Sequence, residues 1–200
     1  MFSTNREQQT IDYYDKNAQE WASTHNGYAD ESYWKAEMAK FHDLLPSGKV
    51  LEIGSGTGKD AADLLNMYDY VGTDASEGLL KIAHARNPQA EFRHISVYDL
   101  DFPKNSFDGF WTAATLLHVP QERIDEVLQK IKTQVKTGGV GFISVKAGAG
   151  ERVDHDTGRW FAYYSQKGFH QVLERNEFKV LEEKTKQGQK DWWLCYWVRV

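Results

Sequence analysis

The chain has 200 residues, of which 40% are hydrophobic and 26% are charged, a composition that excludes both a disordered chain and a bundle of membrane helices. Its formal net charge of −5 disfavours nucleic acid as a partner, because proteins that bind phosphates usually carry a basic excess. The single cysteine, Cys195, excludes an internal disulfide, no apolar run approaches the ~20 residues of a membrane span, and we expect a cytoplasmic protein.

The first 45 residues are predicted to form a helical cap on a core that spans residues 46–200 within one domain. Residues 7–24 and 32–45 have helical patterns that are rich in aromatic side chains. A turn around His25-Asn26-Gly27 joins the two predicted helices.

From Lys49 onward, short β-branched or aromatic runs alternate with helical patterns. One intervening helix is predicted to follow the capping residue Ser76, and another begins at Pro120. Alternation of this kind implies right-handed βαβ units and a doubly wound, mostly parallel α/β sheet. The predicted strands are residues 50–53, 68–73, 92–97, 107–112 and 140–145.

The last third of the chain has a different pattern. Ser165 is predicted to cap a helix, and residues 178–184 and 192–200 are predicted to form two strands. Because only a short polar turn around Gly188 joins these strands, we expect them to pair as an antiparallel hairpin.

The strongest local signal is the run Glu52-Ile53-Gly54-Ser55-Gly56-Thr57-Gly58, which follows a buried strand directly. Glycine lets a ligand approach the main chain, and this loop would lie at the carboxyl end of the first strand, where open parallel sheets bind ligands. A dinucleotide-binding pattern fits only in the register that begins at Gly56, and that register leaves Glu52 and Gly54 without a role. A carboxylate at this strand end also suits a cationic ligand better than a pyrophosphate. The sequence therefore disfavours a nicotinamide-dependent oxidoreductase.

The run is similar to the E/D-x-G-x-G-x-G signature of class I S-adenosylmethionine-dependent methyltransferases. Asp74 at the end of the second strand and Asp99 after the third strand match the order of acidic residues in that family. The resemblance covers roughly residues 45–200. It implies a Rossmann-like, seven-stranded, mostly parallel sheet with a C-terminal antiparallel hairpin and an N-terminal helical cap. It also implies an enzyme that uses S-adenosyl-L-methionine and releases S-adenosyl-L-homocysteine.

The resemblance assigns roles to these strand ends. In the family, the acid after the second strand accepts hydrogen bonds from both ribose hydroxyls, and the acid after the third strand contacts the adenine amino group. Tyr14, Trp21 and Tyr28 of the cap are expected to cover the methionine end of the cofactor, unless they only pack against the core. The other residues expected to bind the cofactor are Glu52, Gly54, Gly56, Gly58, Asp74, Ala75, Tyr98 and Asp99.

His118 is the candidate general base, because it follows the fourth strand, where this fold brings the acceptor to the methyl group. The alternative is a histidine that only hydrogen-bonds its own loop. Arg159, Tyr163 and Tyr164 are candidate acceptor-binding residues, in which Arg159 could hold an anionic group and a tyrosine could stack on a ring. Their alternative role is to fill space beneath the cap. The segment Asp154-His155-Asp156 is interpreted as a solvated loop, and no metal site is expected.

The leading hypothesis is an enzyme that transfers a methyl group in line to an oxygen, nitrogen or other nucleophile of a small molecule. A tRNA or other RNA nucleotide is the second acceptor class, for which four lysines could form a basic face: Lys130, Lys132, Lys136 and Lys146. A non-catalytic module that binds S-adenosylmethionine is the alternative of another class. Its mark would be a degraded glycine loop or lost acids at the strand ends, and the sequence has neither. No DNA or membrane partner is expected.

Overall fold

The structure is a computed structural model and describes residues 5–24 and 33–200. The predicted turn at His25-Asn26-Gly27 and the side chain of Tyr28 lie outside these ranges. Within them the helices are α1 (Asn5–Thr24), α2 (Lys35–Leu44), α3 (Ala61–Leu65), α4 (Glu77–Arg86), α5 (Ile124–Gln134) and α6 (Gln166–Arg175). The strands are β1 (Lys49–Ile53), β2 (Asp69–Asp74), β3 (Glu91–His94), β4 (Phe107–Thr112), β5 (Val135–Ala147), β6 (Glu151–Val153), β7 (Trp160–Tyr164), β8 (Lys179–Gln187) and β9 (Trp192–Arg199).

The first five strands form a parallel sheet in the order β3-β2-β1-β4-β5. The chain moves outward from β1 to β3 and then returns to place β4 on the other side of β1. This reversal opens a crevice at the carboxyl ends of β1 and β4, which is where doubly wound sheets bind their ligands. The predicted α/β architecture is confirmed.

The predicted hairpin is also confirmed, because β8 pairs antiparallel with β9, and β9 pairs antiparallel with β5. Over residues 5–24 and 33–200 the sheet has nine strands rather than the seven expected. The additional two, β6 and β7, form a second hairpin, and β7 pairs in parallel with the end of β5 through Lys146 and Tyr163. Since β9 occupies one edge of β5 as far as Lys146, β7 extends the other edge beyond the end of β4.

Two hydrophobic cores lie on opposite faces of the sheet, as alternating side chains of buried strands require. In β4, Phe110 packs into the core beneath α5 and α6, whereas Trp111 packs into the core beneath α2, α3 and α4. Trp111 stacks there on Phe142 of β5 with 4.1 Å between the ring centroids. The sheet edge that carries the site is therefore held rigidly from both faces.

Side-chain caps fix where two of the helices begin. The Ser76 side chain accepts a hydrogen bond from the Leu79 N–H, and the Ser165 side chain accepts one from the Gly168 N–H, so both predicted caps are confirmed. The helix predicted at Pro120 begins with a short 3₁₀ turn before α5. Among the described residues, no helix combines the length and the apolar character that crossing a bilayer would require.

Candidate active site

A pocket of about 780 Å³ lies at the carboxyl ends of β1, β2 and β4, beneath α1. The residues of α1 that line the pocket recur at intervals of three and four, which places most of their side chains on one face of the helix. Ile11, Tyr14 and Trp21 belong to this face, and the Tyr14 and Trp21 rings meet edge to face at 5.1 Å. The predicted cap helix therefore forms the outer wall of the pocket.

The glycine loop after β1 forms the floor of the pocket. The N–H groups of Gly54 and Ser55 both donate to the Thr73 carbonyl, at 2.8 and 2.9 Å. Gly54 has a φ of 76°, and a Cβ there would lie 2.0 Å from Thr115 Oγ1, so only glycine fits. At Gly56, by contrast, a Cβ would meet nothing within 4 Å. The loop main chain therefore borders open space that a ligand can enter.

Asp74 ends β2 with its carboxylate beside this loop. One carboxylate oxygen accepts a hydrogen bond from the Gly56 N–H and the other accepts one from the Ser76 N–H, both at 2.8 Å. Burial raises the pKa of Asp74, and these two backbone donors oppose the rise. Since each carboxylate oxygen has two acceptor sites, each retains one for a ligand hydroxyl. Asp74 and its neighbour Ala75 both line the pocket.

Glu52 is the second acid on the pocket floor, and only 3% of it is exposed. The Tyr70 hydroxyl donates to its carboxylate. Burial, followed by the negative charges of Asp60 and Asp74, raises the pKa of Glu52 well above its usual range. Tyr70 therefore holds Glu52 in place at the foot of the glycine loop.

The third predicted strand end differs from expectation. β3 stops at His94, and a 3₁₀ turn over Val97–Asp99 follows, rather than strand to residue 97. Ser96, Val97 and Tyr98 line the pocket, whereas Asp99 is exposed and lies outside its lining. The structure therefore does not bring Asp99, which we expected to contact an adenine, into the pocket lining with Asp74. Gly58 also lies outside the lining, and its N–H closes the glycine loop onto the Ser55 carbonyl.

On the β4 side of the pocket, Tyr14, His118 and Arg159 form a continuous hydrogen-bonded chain. His118 Nδ1 lies 2.7 Å from the Trp160 carbonyl oxygen, which can only accept, so Nδ1 carries the ring proton. His118 Nε2 then accepts from the Tyr14 hydroxyl at 3.0 Å. Arg159 Nη1 donates to the same hydroxyl oxygen at 2.9 Å. Residues 104 and 145 positions from Tyr14 thus converge on its phenol.

The surroundings of these three hydrogen-bonded side chains keep His118 neutral. Burial, followed by the positive charges of Arg159 and Lys146, lowers the pKa of His118 to about 3, although the bond to Trp160 opposes the fall. Burial also raises the pKa of Tyr14, and Arg159 opposes that rise. A histidine with so low a pKa is a weak proton acceptor at neutral pH, so its clearest action is to orient the Tyr14 hydroxyl.

Comparison with known proteins finds sequences and solved structures that are similar to this chain. The family described as "Methyltransferase domain" matches residues 50–139. Demethylmenaquinone methyltransferase of Symbiobacterium thermophilum is 28% identical over 127 residues, which cover 57% of this chain and 48% of that protein. Over these stretches the chain is similar to S-adenosylmethionine-dependent methyltransferases.

Solved structures of class I methyltransferase fold agree over nearly the whole chain. The 1,6-didemethyltoxoflavin-N1-methyltransferase of Burkholderia thailandensis, bound to S-adenosylhomocysteine, has a TM-score of 0.78 at 20% identity and covers 100% of this chain and 91% of its own. The DhpI–SAH complex has a TM-score of 0.78 at 23% identity, with coverages of 99% and 98%. At identities this low, the TM-scores establish that the fold is shared and nothing more. The chain spans about half or less of the curated relatives named demethylmenaquinone methyltransferase.

Of the three residues predicted to bind a methyl acceptor, the pocket lining includes Arg159 alone. Tyr163 packs with Leu117 and Phe161 in a small cluster beside the pocket. Tyr164 points to the other face of β7, into the core beneath α6, where its ring meets Phe169 at 4.8 Å. This placement corrects the expectation that Tyr164 stacks on an acceptor, since neighbouring side chains of a strand point to opposite faces.

The segment Asp154-His155-Asp156, which the sequence suggested as a solvated loop, leads into a turn after β6. The described residues contain no group of three or more histidine, cysteine or acidic side chains placed to hold a metal ion. The Asp154 carboxylate instead accepts hydrogen bonds from the backbone and hydroxyl of Thr157, which closes a turn.

Proposed function

We propose that this protein is a methyltransferase, which transfers a methyl group from S-adenosyl-L-methionine to a nucleophile on a small molecule. The observation that carries the proposal is the joint placement of the glycine loop and the Asp74 carboxylate at neighbouring strand ends, facing one open pocket. The pocket volume of about 780 Å³ lies within the ~300–1,000 Å³ of pockets that bind cofactors and other small ligands.

The residues present fit this cofactor. The free acceptor sites of Asp74 suit the two hydroxyls of a ribose, and Gly56 leaves room for the ligand against the main chain. The Ser55 hydroxyl is buried in the loop with no hydrogen-bond partner among the described residues, which leaves a polar atom for a ligand to satisfy. Glu52 and Asp74 also place acidic groups near a ligand that carries a sulfonium.

When bound, S-adenosylmethionine supplies an electrophilic methyl group. The protein then has to hold the acceptor in line with that methyl group and to exclude water. The α1 helix performs the exclusion, because its aromatic face covers the pocket and its Thr10 hydroxyl accepts a hydrogen bond from the Trp160 N–H at 2.9 Å. His118 positions the Tyr14 hydroxyl on the acceptor side.

A small molecule is the acceptor class that the pocket favours. The relatives described above are named for demethylmenaquinone and 1,6-didemethyltoxoflavin, both small molecules. Three of the four lysines of the proposed RNA-binding face are paired with acids at 2.6–2.7 Å, which reduces the charge available to phosphates: Lys132 with Glu177, Lys136 with Asp108 and Lys146 with Asp191. We therefore keep RNA as the less favoured acceptor.

Calorimetric titration of the full chain with S-adenosylhomocysteine and with NAD tests the cofactor assignment. We expect binding of S-adenosylhomocysteine only, and at least a tenfold loss of affinity in Asp74→Ala, about 1.4 kcal/mol or more. The matched control is Asp99→Ala, whose carboxylate lies outside the pocket lining and whose affinity we expect to equal that of the wild type. Binding of NAD instead, or equal losses in both variants, would refute the proposal.

A further inference from the structure

We infer that the methyl acceptor carries a compact anionic group, such as a carboxylate, phosphate or phosphonate, and that Arg159 binds this group. The inference rests on the proposed function and specifies its acceptor class. It follows from the hydrogen-bonding state of the Arg159 guanidinium, from its charge balance and from its place in the sheet.

Arg159 lines the pocket, and its guanidinium has spare donors. Of its five N–H groups, Nε donates to Thr157 Oγ1 at 3.1 Å and one on Nη1 donates to the Tyr14 hydroxyl at 2.9 Å. The remaining three have no acceptor among the described residues. A planar group with several free donors matches the oxygens of a carboxylate or phosphate.

No carboxylate among the described residues forms a direct ion pair with Arg159. Four aromatic rings surround its guanidinium carbon, with centroids 4.9–5.4 Å away, and the Asp154 carboxylate is linked to it only through the Thr157 hydroxyl. A partly buried cation without a direct ion pair is stabilised when a ligand supplies a negative charge. Lys146, the other cation beside Phe161, is already paired with Asp191 at 2.7 Å. Of these two cations, Arg159 is therefore the one available to a ligand.

The place of Arg159 in the sheet separates it from the cofactor side. Ile143 of β5 pairs with Thr112, the last residue of β4. Lys146, three residues further along β5, pairs with Tyr163 of β7, so β7 lies just beyond the carboxyl end of β4. Arg159, which precedes Trp160, therefore stands near the carboxyl end of β4, whereas Asp74 ends β2 on the other side of β1.

An anion at this position would also act on the neighbouring groups. It would lie beside the Tyr14 hydroxyl, which shares Arg159 as a hydrogen-bonding partner. Its negative charge would offset the positive field that Arg159 exerts on His118. The same contact would thus hold the acceptor near the Tyr14–His118 pair and make that pair a better proton acceptor.

Titration of the full chain with inorganic phosphate, with acetate and with ethylammonium at constant ionic strength tests the inference, both with and without S-adenosylhomocysteine. We expect the anions to bind and the cation not to bind. Arg159→Gln should weaken phosphate binding at least tenfold, and Arg159→Lys should weaken it less, because a lysine keeps the charge but not the planar donors. The matched control is Arg152→Gln, an exposed arginine of β6 that should bind phosphate as the wild type does.

The affinity for S-adenosylhomocysteine shows whether Arg159 binds an anion of the acceptor or the carboxylate of the cofactor. We expect this affinity to change less than twofold in Arg159→Gln. A parallel loss of phosphate and S-adenosylhomocysteine would show that Arg159 holds the cofactor's own carboxylate, and would overturn the inference. Equal phosphate affinity in the wild type and Arg159→Gln would also overturn it. Failure of S-adenosylhomocysteine to bind the wild type would instead count against the proposed function, because the titrations without it still test the anion site.

Discussion

At the scale of single residues, His118 departs most from its ordinary chemistry. Its pKa falls from the usual 6.5 to about 3, chiefly through burial, and its Nδ1 proton is committed to the Trp160 carbonyl. We therefore expect His118 to stay neutral, with the proton on Nδ1, from pH 8 down to pH 5. Long-range ¹H–¹⁵N spectra of protein with ¹⁵N-labelled histidine measure this, and the signal absent from His118→Gln assigns it.

His170 supplies an internal control for this titration. Its hydrogen bond to the Glu183 carboxylate raises its pKa, so the His170 ring should gain its proton at a higher pH than an isolated histidine. The two residues should thus titrate on opposite sides of 6.5. An inflection of the His118 signal near 6.5 would contradict the hydrogen-bonded chain from Arg159 to Trp160.

The positions of residues could be predicted where a local sequence pattern determines the backbone. Asp74 directly ends a buried strand, so its position followed from the sequence. Asp99 lies five residues beyond the end of β3, as the last residue of a 3₁₀ turn, so its position depends on that turn and not on the strand. The contact between Tyr14 and His118 joins residues 104 positions apart, and no local pattern reports such a contact.

At the scale of elements, polar contacts of Glu7, Thr10 and Asp15 hold α1 over the pocket, in addition to those of Tyr14. Glu7 pairs with Arg123 at 3.1 Å, and both side chains are largely buried. Thr10 accepts from the Trp160 N–H, and the Asp15 carboxylate accepts from the Ser76 hydroxyl at 2.6 Å and the Gly78 N–H at 2.9 Å. The last contact joins α1 to the beginning of α4, next to Asp74. Binding at Asp74 and closure by α1 should therefore be coupled.

Gly78→Ala tests this coupling. A Cβ at Gly78 would lie 2.8 Å from the Asp15 carbonyl oxygen and 3.1 Å from its Cα, so alanine should displace α1 from α4. We expect amide exchange in α1 to accelerate and S-adenosylhomocysteine affinity to fall several-fold. Alanine favours a helix over glycine by about 1 kcal/mol, so weaker intrinsic helix formation in α4 cannot explain the loss.

Lys81→Ala is the matched control for that experiment, because its side chain is exposed on the same helix and pairs there with Glu77 at 3.3 Å. Its affinity and its exchange in α1 should equal those of the wild type. Unchanged exchange in Gly78→Ala would show that α1 does not depend on this close approach.

Elements with strong local signals were predictable, and those that depend on pairing were not. The caps Ser76 and Ser165 are recognisable because a side chain satisfies the first N–H groups of a helix. β6, by contrast, has three exposed residues and no buried alternation. β7 is buried throughout, and only its pairing with β5 and β6 shows that residues 160–164 are a strand.

At the scale of the whole molecule, the sheet divides the pocket into two halves. β1, β2 and the turn after β3 supply the side proposed to bind the cofactor, and β4 and β7 supply the side proposed to bind the acceptor. The α1 helix spans both halves, because its residues contact α4 on one side and Trp160 on the other. Ligand on either side should therefore stabilise the closed arrangement.

Thermal unfolding measures this linkage. A ligand that binds only the folded state at 100 times its Kd adds about 2.7 kcal/mol of stability, which corresponds to a rise in Tm of about 5–10 °C for a chain of this size. We expect that rise with S-adenosylhomocysteine in the wild type, nearly the same rise in Arg159→Gln, and a much smaller rise in Asp74→Ala at equal ligand concentration. The three proteins share one fold and differ at opposite halves of the pocket, so an equal loss in both variants would contradict the division of the pocket into two halves.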